Sequence, residues 1–192
     1  MSRKLTALLI TAALIAPPVF AQDEEEPIPG LQTDGGIRFA VAGQSYDYNS
    51  ISFLFDSVRI GSSSVQSSEI GSGDILGIAA MSEPGGEGAA FHIFVTYQGS
   101  PVDGVLTEEL DAPTLTWFPD GDSQPFWATL STGSDLPEIT FTGFDYNGET
   151  GHAAGHFRGR LCYVAELEET EPDPTNCKDV EGTFDTALYK AF

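Results

Sequence analysis

The chain has 192 residues, and 29 acidic residues stand against eight Lys and Arg, which gives a formal net charge of −21 at pH 7. This charge argues against nucleic acids and anionic membranes as partners, because binding either of them needs clustered Lys and Arg. The length suits one domain with its own hydrophobic core.

The N-terminal segment, residues 1–21, predicts a signal peptide. Arg3 and Lys4 form a basic start, an apolar stretch follows from Leu5 to Ala16, and small residues precede a cleavage site after Ala21. The apolar stretch is too short for a permanent anchor, and no later stretch is apolar enough to span a membrane as a helix. We therefore expect an exported chain, periplasmic or extracellular, with no integral membrane span.

The rest of the chain divides into an acidic leader and one β domain. Residues 22–35 combine acidic residues with Pro and Gly, which predicts a disordered leader. Residues 36–192 contain short alternating strands separated by Gly, Pro, Asn and Asp turns, which predicts an all-β fold. We expect a single antiparallel β-sandwich, with a small β-barrel as the alternative. The predicted strands are Ile37–Val41, Ile51–Asp56, Ile75–Ala80, Phe91–Tyr97, Thr114–Phe118, Phe126–Leu130 and Ile139–Phe144.

Two stretches of this domain do not have the alternation of a strand. The Ser- and Gly-rich residues 61–73 are interpreted as a flexible loop. Thr186 to Phe192 is interpreted as a short helical tail.

Both cysteines of the chain lie near its C-terminal end and predict a disulfide-stapled hairpin. Two cysteines in an exported chain favour a bond between them. A Cys162–Cys177 bridge closes a loop of about 15 residues, worth about 3 kcal/mol in the loop-entropy model. If the two face each other across antiparallel strands, the register places each Phe over a Gly, which covers bare backbone, and each Arg opposite an acid. The predicted pairs are Phe157 with Gly182, Phe184 with Gly155, Arg158 with Glu181 and Arg160 with Asp179, with Phe157, Leu161 and Phe184 inward and the charges and the disulfide outward.

The hairpin also carries a family resemblance. Its paired segments Gly155-His156-Phe157 and Gly182-Thr183-Phe184 resemble the ends of a broad group of uncharacterised bacterial exported β-sandwich domains. The resemblance extends in pattern from Gly36 to Leu188, with specific residues only from Gly151 onward. It implies the fold and brings no activity and no catalytic residues.

One aromatic turn is the candidate ligand site. Trp117 and Trp127 flank an acidic turn, and a hairpin there would place the two rings opposite each other. Exposed rings stack on sugars, and Asp120 and Asp122 would supply oxygen ligands to calcium. The alternative is that the rings pack into the core, in which case the hypothesis of sugar binding at this turn is wrong.

No catalytic signature stands out. There is no Gly-x-Ser-x-Gly, and His92, His152 and His156 lack the spacing of a metal site on a strand. We therefore assign no catalytic residue, no metal ligand and no cofactor, and calcium at the aromatic turn is the one ion that stays open as a hypothesis. The main hypothesis is a non-enzymatic binding or structural protein of the bacterial envelope with a glycan, cation or envelope protein as partner. The alternatives are a carbohydrate- or calcium-binding module using the Trp117–Trp127 turn, and a hydrolase with paired carboxylates.

Overall fold

The computed structural model describes residues 28–67, 73–83, 88–98, 111–121, 125–131, 133, 135–166 and 171–191. Within these ranges the chain is all-β, as predicted, with eleven strands and no helix. The strands are β1 (Gln32–Val41), β2 (Gln44–Phe55), β3 (Val58–Gly61), β4 (Ser64–Ser67), β5 (Asp74–Met81), β6 (Ala90–Tyr97), β7 (Thr114–Phe118), β8 (Phe126–Thr129), β9 (Glu138–Tyr146), β10 (Thr150–Val164) and β11 (Asp173–Lys190).

A single hydrogen-bonded sheet contains all of these strands, and β11 joins its parts. β11 pairs antiparallel with β10 and with β1, and near its end it pairs in parallel with β4. β10 pairs with β9 through its first half and with β8 through its second half. From β8 the sheet continues through β7, β6 and β5 to β4, while β2 bridges to β5. The described strands therefore pack around one core, and the distinction between a sandwich and a small barrel stays a prediction.

The hairpin of β10 and β11 has the predicted register. Cys162 and Cys177 form a disulfide with an S–S distance of 2.08 Å, and all four predicted Phe–Gly and Arg–acid pairs face each other. The inward residues Phe157, Leu161 and Phe184 are buried as expected. Cys162, which was expected on the outward face, is fully buried as well.

Several boundaries differ from the sequence-based predictions, and the largest shift is at β2, which begins at Gln44 and not at Ile51. β1 begins at Gln32 and not after the predicted leader, because Gln32 pairs with Ser52 of β2. Residues 22–27 of that leader and the signal peptide lie outside the described residues. The predicted helical tail is wrong for Thr186 to Lys190, because these residues continue β11 and pair with β10 and β4.

A largely buried cluster of hydroxyl groups joins β2, β5 and β11 to the bend that precedes β4. The hydroxyls of Ser50, Ser62 and Ser63 donate to the carbonyl oxygen of Ala79 at 3.0, 2.8 and 3.4 Å. The Ser63 hydroxyl also accepts from the Ala79 N–H at 3.3 Å and from the Thr186 hydroxyl at 3.5 Å. The interpretation of this serine stretch as a flexible loop is therefore wrong at its first serines, which fix the sheet where four strands meet.

Replacing Ser63 with alanine is expected to lower the free energy of unfolding by about 1–3 kcal/mol, since the half-buried Ala79 N–H loses the buried Ser63 hydroxyl as its acceptor. Urea denaturation of the variant measures the loss. Ser67 is exposed at the end of β4, the strand that begins directly after Ser63, so Ser67→Ala serves as the control and should change stability by less than about 0.5 kcal/mol. Equal effects of the two substitutions would contradict a structural role for the cluster.

The core is rich in aromatic rings. Phe91 lies 4.4 Å from Phe39 and 5.2 Å from Phe157, measured between ring centroids, so strands β1, β6 and β10 meet through their Phe side chains. Such pairs add about 0.5–1.5 kcal/mol each beyond the burial of their area. The largest fully buried side chains around them are those of Ile37, Leu76, Ile78, Ile93, Leu115, Leu161 and Leu188.

Candidate functional site

The tryptophan turn has the predicted pairing but not the exposure that sugar stacking requires. Trp117 and Trp127 face each other across β7 and β8. Only 5% of Trp117 and 8% of Trp127 is exposed, because both occupy inward positions of their strands. The Trp117 indole N–H points to the Tyr48 hydroxyl, 3.4 Å away, inside the core. The two rings therefore do not form the exposed platform on which a sugar would stack.

Among the described residues, the acidic part of the same turn forms no cation site. Asp120 is exposed, and its charge contributes to raising the pKa of Tyr48, although burial is the larger cause of that rise. Asp122 lies outside the described residues. Across the described part of the chain, no group of three or more His, Cys, Asp or Glu is placed to hold a metal ion. Calcium binding at this turn stays a prediction.

A long groove on the outer face of the sheet, here called the outer groove, is the best candidate site. It consists of three neighbouring depressions of about 980, 940 and 540 Å³. The first two share Arg158 and Glu181, and the second and third share Arg38 and Thr183. Its outward residues are Ser45, Asp47 and Asn49 on β2, Arg38 and Ala40 on β1, Asp179, Glu181, Thr183 and Asp185 on β11, Ala154, His156, Arg158 and Arg160 on β10, and Glu138, Thr140 and Thr142 on β9.

The strand register explains why these side chains meet. Residues two apart on a strand share a face, so the alternate residues from Ala154 to Arg160 on β10 and from Asp179 to Asp185 on β11 point away from the core and line the groove. Thr183 lies at the centre, opposite Arg38 of β1 and His156 of β10. From Asp179 to Asp185 the groove follows β11 for about 20 Å at ~3.4 Å per residue.

Three arginines in the groove are held by carboxylates. Arg38 Nε lies 3.1 Å from Asp47 Oδ2. The Nε and Nη2 atoms of Arg158 donate to one oxygen of Glu138, at 2.9 and 2.6 Å. Arg160 makes a single contact of this kind, from its Nη1 atom to Asp135 Oδ2 at 3.2 Å. Arg158 and Arg160 therefore pair with acids before and within β9 and not with the β11 acids opposite them. Each exposed pair adds little stability, but it fixes the direction of the remaining guanidinium N–H groups.

The acids of β11 provide acceptors beside these donors. The carboxylates of Asp179 and Glu181 form no ion pair or hydrogen bond with other described residues. At the far end of the groove, His152 Nε2 lies 2.8 Å from Asp185 Oδ1. Between the charged groups, the small side chains of Ala40 and Ala154 leave space above the sheet. The groove thus alternates fixed donors with open acceptors over a floor of small residues.

No family model, no curated protein and no solved structure matches this chain. Among the described residues, no helix is long and apolar enough to cross a membrane. The outer groove therefore has to be interpreted from its own chemistry.

Sequence reasoning did not find the outer groove, although one signal was available. On β10, four of the five alternate residues from His152 to Arg160 have basic or imidazole side chains in a chain that is otherwise acidic, and the fifth is Ala154. That concentration marks the outward face of β10. The partners from β1, β2 and β9 could not be added, because their pairing with β10 and β11 depends on contacts distant in sequence.

Proposed function

We propose that the protein is an exported, non-enzymatic binding protein that holds a hydroxyl-rich ligand, a glycan, in the outer groove. The observation that carries the proposal is the groove itself, where five strands place fixed donors and open acceptors side by side. A sugar hydroxyl both donates and accepts, so it suits a surface on which guanidinium N–H groups alternate with carboxylates. The Cys162–Cys177 disulfide supports export, because such bonds persist in oxidising compartments.

Other polymers fit the groove less well. A peptide that adds to a sheet as a strand needs an unpaired edge, whereas β11 at the centre of the groove pairs with β10 on one side and β1 on the other. Such a peptide would have to join at the outer edge of β9, which among the described strands pairs only with β10. A nucleic acid needs clustered basic residues, and the groove carries more carboxylates than arginines. A glycan can be recognised by side chains alone, which is what the centre of a sheet offers.

Thr183→Trp is expected to weaken glycan binding at least tenfold, because the ring would fill the central floor of the groove. The mature chain, residues 22–192, is first screened on an array of bacterial and host glycans, and the strongest binders are then titrated by calorimetry. Thr114→Trp is the matched control, since Thr114 is exposed on β7 and lies outside the groove. Arg158→Ala tests the same site by removing a fixed donor.

Binding that survives both Thr183→Trp and Arg158→Ala would contradict the proposal, as would an array with no bound glycan. The glycans are also recovered and weighed by mass spectrometry after incubation. Shortened products would replace this proposal with the hydrolase alternative, and Asp179 and Glu181 would be the carboxylates to substitute first.

A further inference from the structure

A lysine occupies a core-facing position at the end of the sheet that holds the tryptophans. Lys178 lies opposite Leu161, which is fully buried, and two residues before the buried Val180 on the same side of β11. The alternation of the strand would place an apolar residue there. Lys178 is half-buried, so its side chain lies between the core and solvent.

The ammonium group of Lys178 lies on indole rings and forms no ion pair with a carboxylate of the described residues. Its Nζ atom is 3.8 Å from the ring centroid of Trp127 and 5.8 Å from that of Trp117. The four ion pairs among the described residues use three arginines and a histidine, and none includes Lys178. In a chain with 29 acidic residues, this cation is held by aromatic faces.

The rings around this ammonium are fixed by their own neighbours. Trp127 packs edge-on against Tyr163, with 5.4 Å between centroids. Trp117 lies 5.2 Å from Tyr46, and its indole N–H points to the Tyr48 hydroxyl. These contacts do not involve Lys178, so the aromatic walls would keep their positions if the lysine side chain swung out.

We propose that the face of Trp127 is a binding site for an organic ammonium ion and that Lys178 is its built-in occupant, which the ligand displaces. A quaternary ammonium has no N–H to hydrogen-bond and is recognised by aromatic faces, which is the chemistry that Lys178 already uses here. The acidic surface of the chain raises the local concentration of cations. This site is separate from the outer groove and does not depend on the function proposed for it.

The disulfide holds the lysine in place. Cys177 is the preceding residue and is bonded to Cys162, while the ladder beyond them shifts so that Tyr163 pairs with Asp173. Lys178 therefore lies directly beside the cross-link, next to the segment that leaves the ladder. A ligand must displace a cap whose backbone is fixed, so the apparent affinity equals the intrinsic affinity multiplied by the fraction of molecules in which the cap is open.

Titration of the mature protein with tetramethylammonium chloride, followed by tryptophan fluorescence, tests the proposal, with sodium chloride as the ionic-strength control. Lys178→Ala should bind at least tenfold more tightly than the wild type. Lys190→Ala, which removes an exposed lysine from the same strand, should bind like the wild type. Reducing the disulfide of the wild-type protein should also tighten binding.

Trp127→Leu combined with Lys178→Ala should abolish saturable binding, which calorimetry can follow without the indole. Lys178→Gln keeps most of the side chain and removes the charge, so it replaces the alanine variant if that variant melts early. The proposal is overturned if neither Lys178 variant binds more tightly than the wild type, or if binding persists without Trp127. Glycan binding in the outer groove should be unchanged in all of these variants, so the two proposals fail separately.

Discussion

Replacing Gly182 with alanine is expected to lower the free energy of unfolding by about 3 kcal/mol. A Cβ at this position would lie 2.5 Å from the carbonyl oxygen of Arg38, 2.6 Å from Cζ of Phe157 and 2.7 Å from Cβ of Phe39. The nearest of these atoms is backbone and the others belong to buried rings or their stems, so none can move aside without disturbing β1 or β10. The cost arises from the missing space above Gly182, which the Phe157 ring occupies.

Gly143 offers a matched control for this experiment. It also lies in a strand of the sheet, on β9, and a Cβ there would meet no atom within 4 Å. Gly143→Ala should therefore change stability by less than about 0.5 kcal/mol. Guanidinium unfolding of both variants gives the comparison. An unchanged midpoint for Gly182→Ala would show that the Phe157 ring is not fixed over the glycine.

Removing the disulfide through Cys162→Ala with Cys177→Ala is expected to cost about 3 kcal/mol. The bond spans a sequence separation of 15, and opening it restores the conformational freedom of that loop in the unfolded chain. Cys162 is also fully buried, so the smaller alanine leaves part of its space unfilled. Denaturant unfolding with and without dithiothreitol measures the effect.

The reductant provides the internal control for the double variant. Wild-type protein treated with dithiothreitol should unfold at nearly the same denaturant concentration as the double alanine variant, and the variant should not respond to the reductant. If the oxidised and reduced wild-type proteins share one midpoint, the bond contributes nothing to stability and the loop-entropy argument fails for this hairpin.

The register of the β10–β11 hairpin could be derived from the sequence because several independent residue pairs all support the same alignment. Once Cys162 and Cys177 are placed opposite each other, the Phe–Gly and Arg–acid pairs either align or do not, and a shift by one residue would break all of them. The strands are also close in sequence, so one short loop limits the choices. The all-β class followed in the same way from local alternation.

Pairing between distant strands could not be derived. Ile37 of β1 pairs with Phe184 of β11, and no local signal in either strand names its partner. The outer groove depends on this pairing, since Arg38 and Thr183 meet only through it. The arginine ion pairs were missed for the same reason, because Glu138 and Arg158 come together through the pairing of β9 with β10.

The local preference of a residue type gave a wrong prediction where the residue is buried in the fold. Serine favours turns and loops, yet Ser63 is 1% exposed and holds Ala79 through both polar groups of that residue. For the tryptophans, the sequence predicted the pairing correctly but left the burial of the rings open. Which face of the β7–β8 hairpin enters the core depends on packing against β1, β2 and β11.

β11 follows every other described strand in the sequence, and this order affects when the sheet can form during synthesis. β1, β4 and β10 each have one edge that pairs with β11, and the separation in sequence from β11 is largest for β1. A chain delivered with its N-terminal end first therefore carries unpaired strand edges until β11 arrives. Such edges pair readily with other chains, and contacts between distant residues form slowly. We therefore expect the sheet to form cooperatively and only after β11 has been synthesised. Until then, incompletely folded copies should be prone to aggregate with one another.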